Sequence, residues 1–436
     1  MSEEEKKEFE ARRKRKMAIF VHEYLHYLHN FSTLAGIYEL IAQFRLTHSY
    51  RAAVGVSGRC HGDAALGGDD IQRYQAVLNW THHLRGDYGL RWSEITHRGD
   101  VKIRVLNLEN KESTIDIAGG PLAAVGVDVT FEMTSERSEP STHRMMLGTS
   151  ILTEAIAIEI DQSIQGIAPG VSCDDPMEVV PYRVARAIFE YVVGSVPDRR
   201  VLVKACLLAL QSPDPGDSYR EILRELAKAR LAGKDIALRL EEFAVTMQTD
   251  LTHHLAEYEQ MLGREFGELQ EKIPYLASAI AFMRSQSVGF VALRTRSPFF
   301  ELEFIRDDFT KDDLTRLIYT HSSCPMVEVG NSATDGRFRA LRAPGPSEEE
   351  VQSLGMLQGF LQVGASHFRT GSLLPTESIR KEKCLMFSAC RAPATTRADA
   401  PCTTTPWRTF VYPPPPEGLC WYGAGVAATR GRGDLA

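Results

Sequence analysis

Long apolar runs are missing from this 436-residue chain, and none reaches the roughly twenty residues that a membrane-spanning helix needs. The first sixteen residues are mostly charged and hold no apolar segment behind a short basic start, so the pattern of a secretory signal is missing too. A basic excess is absent: 57 acidic residues stand against 50 basic ones, for a net charge of -7. That balance argues against a general nucleic-acid binder, which needs a basic surface to meet phosphates. No internal repeat is visible. The eight cysteines include no Cys-x-x-Cys pair. The expectation is a cytoplasmic protein with no membrane association, its thiols reduced or bound to metal rather than paired in disulfides.

What is present is ordinary globular material. Hydrophobic residues make up 43% and charged residues 25%, and the length suits two or three domains. A local basic run, Arg12 to Lys16, follows Glu3, Glu4, Glu5 and Glu8. It reads as a solvated helix with Glu-to-Lys/Arg pairs one turn apart, with a nucleic-acid arm as the competing reading.

Helical spacing dominates the pattern. Residues 3–45 read as helix, with a second stretch beginning near Leu34. Residues 52–70 are rich in glycine and small residues and read as loop, and 71–91 as helix ending near Gly86. Val101, Ile103 and Val105 then alternate with charged residues, as in a half-buried strand, before the phase shifts around Leu106 and Leu108. Val125, Val127, Val129 and Phe131 give a second strand, and the two predict a small antiparallel sheet. Helices follow over 147–164, 181–194 and 201–211, then two or three long charged ones over 218–290. Strand-like runs occupy 288–305, and a Pro/Gly turn lies near 343–350. The expected class is α+β, mainly helical with a small antiparallel sheet. The expected order is a metal-site domain over 1–200, a helical accessory region over 201–342, and a linker with a Cys/Pro-rich tail over 343–436.

The chemistry concentrates in His22-Glu23-Tyr24-Leu25-His26. On a helix the two histidines lie one turn apart on one face, where both can reach one ion, and Glu23 projects beside them. A catalytic zinc site needs three protein ligands and an open position for water, and a neighbouring carboxylate can take that water's proton. Phe20, Val21, Tyr24, Leu25 and Leu28 supply the apolar helical setting. His29 lies about 10 Å along the helix from His22, so it cannot share the same ion. It reads as a supporting or packed helix-end histidine.

This motif resembles that of the zincin metallopeptidases. The metzincin extension is excluded, because His29 and Ser32 stand where that pattern has Gly and His. The resemblance therefore points to the gluzincin branch, in an uncharacterised bacterial form. It implies a zinc-dependent hydrolase in which Glu23 is the general base and a Glu on a later helix is the third ligand. The segment Leu147 to Glu159 fits that helix, with Glu154 alone in an apolar stretch beside small Ala155 and Ala157. A buried carboxylate there is costly unless it is paired or metal-bound. Glu159, Asp161 and His143 are the rival ligands. The Glu falls much further downstream than in the best-known gluzincins, and Ile158 stands where they place an Asp. The strands near 101–133 are expected to replace their upstream sheet. Tyr182 and His143 are candidate donors to an oxyanion. The implied substrate is a peptide or protein, and the implied cofactor is Zn2+.

Cys384, Cys390, Cys402 and Cys420 lie in a tail poor in aliphatic residues. Four thiolates can close a structural zinc site, and a segment with little core often relies on a metal to fold. The opposing reading is a tail with incidental thiols. Two other readings of the whole chain remain: a non-catalytic zinc-containing scaffold built on the helices of 218–290, and a nucleic-acid-associated protein using the basic run and the tail.

Overall fold

The computed structural model describes residues 2–55, 58–86, 101–117, 120–135, 138–168, 179–306, 308–321, 327–329, 337–339, 347–369, 372–379, 384, 401–405 and 420–429. It is mostly helical with a small three-stranded antiparallel sheet, an α+β architecture. No helix among the described residues is long and apolar enough to cross a membrane. The chain forms two compact units, each drawn from three stretches. One comprises Met1–Leu40, Trp80–Tyr258 and Ser287–Leu317; the other comprises Ile41–Asn79, Glu259–Gln286 and Ile318–Ala436. The sequence alone suggested three consecutive regions, since composition along the chain gives no sign that distant stretches share a core.

In the first unit, α1 (Glu3–Ser32) opens on a Ser2 cap whose hydroxyl accepts from the Glu5 N–H, while Glu5 reaches back to the cap. Its first sixteen residues are almost wholly exposed, and burial begins at Ala18. Val21, Leu25 and Leu28 are fully buried. α2 (Leu34–Tyr50) follows after Thr33 and belongs to this unit as far as Leu40, and α3 (Gly68–Arg85), which belongs to it from Trp80, ends at Gly86, whose φ of 85° favours glycine.

The sheet has the order β1-β2-β3, with β1 (Lys102–Ile117), β2 (Gly120–Ser135) and β3 (Ser138–Leu147). A bulge between Val105 and Asn107 leaves Leu106 exposed, which is the phase shift visible in the sequence. Val127, Val129, Phe131 and Met133 are fully buried on β2. The third strand is a feature the sequence concealed. β3 is an edge strand containing Pro140, with only Met145 and Leu147 as buried apolar residues, so its alternation is nearly invisible.

β3 runs into α4 (Thr149–Gln165), which packs on α1, on α5 (Val179–Val193) and on α6 (Arg199–Ala209). Ala155 and Ala157 are fully buried, and such small residues permit close helix approach. Gly148 caps α4. A Cβ there would stand 2.2 Å from the Gly86 nitrogen and 2.6 Å from the Arg85 carbonyl oxygen. Both obstacles are backbone, so Gly148→Ala is expected to cost about 1–3 kcal/mol through overpacking. Urea unfolding measures this, and an unchanged midpoint would show that the strand-to-helix junction yields freely.

Further helices are α7 (Pro215–Leu231), α8 (Ile236–His253), α9 (Leu255–Lys272), α10 (Ala277–Arg296) and α11 (Lys311–His321). The region read as two or three helices therefore holds four. The strand-like runs of 288–305 are corrected: α10 continues to Arg296, and Phe300–Phe304 is a 3-10 helix. Ser287, Phe290, Val291 and Arg294 line the buried stripe of α10 at helical spacing. Two polar members disguised that stripe as a broken apolar run.

In the second unit, Tyr50, Cys60, Tyr74, Val363, Leu373, Tyr422 and Val426 belong to one apolar cluster. α12 (Glu348–His367) packs closely on α13 (Trp421–Thr429), and a Cβ at Gly425 would lie 2.3 Å from the Gly359 carbonyl carbon. Short two-stranded pairs, β4 (Val327–Val329) with β5 (Arg337–Arg339) and β6 (Phe368–Arg369) with β7 (Ser372–Leu373), complete the described elements. Cys384 and Cys402 are buried in the same apolar cluster, joined by a 2.8 Å hydrogen bond from the Cys384 N–H to the Cys402 carbonyl, and Cys420 packs against it. Cys390 lies outside the described residues.

Candidate metal centre

Two helices build the site. His22 and His26 project from one face of α1, as the four-residue spacing requires, and Glu154 projects from α4 between them. One carboxylate oxygen of Glu154 lies 3.2 Å from His22 Nε2 and 3.3 Å from His26 Nε2. The two imidazole rings stand edge to face, 5.0 Å between centroids. One donor atom from each of the three residues falls within 4.8 Å of the others. Among the described residues this is the one group of three or more His, Cys, Asp or Glu side chains that comes together in this way.

The donor set fits zinc. Ligands held at about 2.0–2.1 Å in a tetrahedron stand roughly 3.3–3.4 Å apart, close to the two separations found here. Two imidazoles and one carboxylate are also a borderline-hard set that suits this ion. The same separations serve hydrogen bonds from the imidazoles to Glu154 when no ion is present.

Electrostatics favour charge at the site. Burial on its own would raise the Glu154 carboxyl, but the hydrogen bonds and charges of His22 and His26 outweigh it and hold it down at about 2. Burial on its own would lower His26, yet the hydrogen bond and charge of Glu154, with Glu23 and Glu39 adding to it, leave it raised. The centre is partly open: the side chains of His26 and Glu154 are each 26% exposed, and His22 is 9% exposed. Glu23 is exposed beside them.

Comparison with protein families, curated proteins and solved structures finds no match for this chain.

Two of the three rival ligands, Glu159 and His143, fall elsewhere. Glu159 is buried between Arg186, whose Nε donates to it at 2.9 Å, and Arg199, whose Nε donates at 3.2 Å. His143 sits on β3, hydrogen-bonded to the Ser141 hydroxyl at 2.7 Å and packed on the Phe131 ring. Arg144, next to His143 on β3, binds Asp128 at 2.7 Å. Tyr182, on α5, stands edge-on to His22 with ring centroids 5.9 Å apart. His83 is buried with Nε2 2.5 Å from Asp214.

Two carboxylates gain supporting places that sequence alone did not give them. Asp161 lies two turns after Glu154, with an oxygen 3.9 Å from the other ring nitrogen of His22, and burial raises its carboxyl. Metal-bound histidines commonly hand that second N–H to a carboxylate, which fixes the ring. Asp161→Asn is therefore expected to weaken zinc binding about 10–100-fold without abolishing it. Competition with a calibrated chelator measures this, and an unchanged affinity would remove Asp161 from the site. Glu39, on α2, accepts from the Thr149 hydroxyl at 2.7 Å and pairs with Arg85 at 3.1 Å, tethering the start of α4. Its signal was available, since it is one acid in the apolar stretch Leu34 to Phe44, the cue that marks Glu154.

Proposed function

We propose that this chain is a zinc-dependent hydrolase whose substrate is a peptide or protein bond. The observation that carries the reading is the single Glu154 oxygen within 3.2 and 3.3 Å of both imidazoles, with exposed Glu23 alongside. His22, His26 and Glu154 would hold the ion. When bound, zinc supplies Lewis acidity and brings water into the range where a carboxylate can deprotonate it at neutral pH. Glu23 would accept a proton from the attacking water and pass it to the leaving amine. Tyr182, whose ring packs 5.9 Å from that of His22 between centroids, is the candidate donor to the developing oxyanion. The peptide substrate rests on the motif's resemblance to zincins alone. A cytoplasmic location is part of the same proposal.

Purified protein is expected to hold one zinc per chain at this centre and to cleave members of a peptide library in a chelator-sensitive way. Protein that takes up no zinc from a buffered excess would end this reading. The scaffold alternative draws on Leu238 and Val245, each 61% exposed and seven residues apart on α8. The exposure of Glu23 favours the hydrolase, because a zinc kept only for structure needs no accessible carboxylate beside it.

A further inference from the structure

The metal-site stripe of α1 does not stop at His26. His29 continues it, two turns on from His22, and is fully buried. Its Nε2 lies 3.5 Å from a carboxylate oxygen of Glu301, itself fully buried in the 3-10 helix. Glu301 is gripped by Arg294 of α10, whose Nη1 donates to Oε2 at 2.8 Å while Nη2 meets Oε1. Arg294 is fully buried as well, and its guanidinium lies 4.2 Å from the Phe300 ring centroid. Nη1 also donates to the Pro298 carbonyl at 2.7 Å, and two further hydrogen bonds go to the last residue of α1. Nη2 donates to the Ser32 hydroxyl at 2.8 Å and Nε to the Ser32 carbonyl at 3.2 Å.

A full charge pair buried this deeply is weak evidence for stability, because desolvation offsets most of the attraction. What it provides is direction. α1 is unsupported over its first half, so its placement rests on residues 18–32. The apolar contacts there run through Val21, Leu25 and Leu28, all fully buried, and apolar burial is non-directional. Metal ligands must be held within about 0.5 Å and 10–20° of the working geometry, a tolerance that loose rotation exceeds.

Building on the metal-centre reading, we propose that Arg294 and Glu301 form a clamp on the C-terminal end of α1 that sets the rotation of the helix and so positions His22 and His26 for metal. Arg294 fixes the helix end through Ser32, and Glu301 fixes the ligand stripe through His29. They are positioning residues with no contact to the ion.

The test uses the full chain and Co2+ as a spectroscopic probe. Glu301→Gln alone would strand the buried guanidinium, so the informative variant is the double replacement Arg294→Met/Glu301→Leu. An apolar pair of similar volume commonly preserves folding. This variant is expected to keep its far-UV circular dichroism and unfolding midpoint, to bind Co2+ about 10–100-fold more weakly, and to show an altered visible ligand-field spectrum. Ser32→Ala, which removes one hydrogen bond of the clamp, is expected to show a smaller loss in the same direction. A folded double variant with wild-type affinity and spectrum overturns the clamp, as does wild-type affinity in Ser32→Ala should the double variant not fold. A wild-type chain that binds no Co2+ or Zn2+ fails at the metal centre itself, a result separate from an unresponsive clamp.

Discussion

Replacing His22 or His26 with Ala is expected to remove the metal while leaving the fold. Structural zinc binding is worth about 10–16 kcal/mol over four ligands, so one ligand carries roughly 3–4 kcal/mol, or about a 10²–10³-fold change in affinity. A site with only three protein ligands has little reserve, and either variant should emerge from a chelating column metal-free. Glu154→Gln should do the same, since it loses the anionic oxygen that lies within 3.3 Å of both imidazoles. The fold should survive because α1 and α4 meet through apolar side chains around the centre, Val21 and Leu25 on one helix, Ile151 and Ala155 on the other, all fully buried. Metal analysis by mass spectrometry, paired with circular dichroism, gives both readouts. Full zinc occupancy in His22→Ala would place the ion elsewhere in the chain.

The metal-free protein should carry a pH signature from the same contact. The Glu154 carboxyl is depressed, so its contribution to stability is present above the ordinary carboxyl range and is lost as pH falls towards about 2. His26 is raised, so its contribution is present below about 6.5 and is lost as pH climbs through its folded value. The contact therefore contributes most between roughly pH 4.5 and 6.5. Zinc selects the deprotonated imidazoles, so its affinity should rise with pH over the range where the apo contact weakens.

Parts of this design can be read from sequence because they depend only on local spacing. His22 and His26 face the same way on any helix, and the bulge at Leu106 shows as a slip in alternation. Glu154 could be singled out because one acid in an apolar helix needs a partner. Asp161 and Glu159 carry the same kind of signal yet have different roles. One faces His22, and the other is taken by Arg186 and Arg199, arginines on α5 and α6 that local spacing cannot bring to it. Arg294 was hidden for a related reason. A fully buried arginine on a helix stripe looks like a surface residue until Ser32 and Glu301, remote or out of register in sequence, are seen to enclose it. What sequence spacing does not reveal is therefore the supporting layer around the ligands.

Glu23→Gln separates chemistry from binding. Glu23 is exposed and is absent from the group of converging donor atoms, so it is assigned as a base and not as a ligand. Gln matches its size but accepts no proton at neutral pH. The variant should keep one zinc per chain and an unchanged unfolding midpoint, and should lose about 10²–10⁴-fold in turnover, the usual worth of general-base catalysis. The loss should fall on kcat, since the proton moves only on the way to the transition state. The scaffold alternative predicts no functional change in this variant, because an exposed Glu→Gln exchange leaves the ligands and their packing intact. Turnover measured on whichever library peptide the wild type cleaves, beside zinc content from the same preparation, makes the comparison. Loss of zinc from Glu23→Gln equal to that from His22→Ala would make Glu23 a ligand and leave the centre without its assigned base. Retained zinc with wild-type turnover would show that Glu23 is not the proton acceptor.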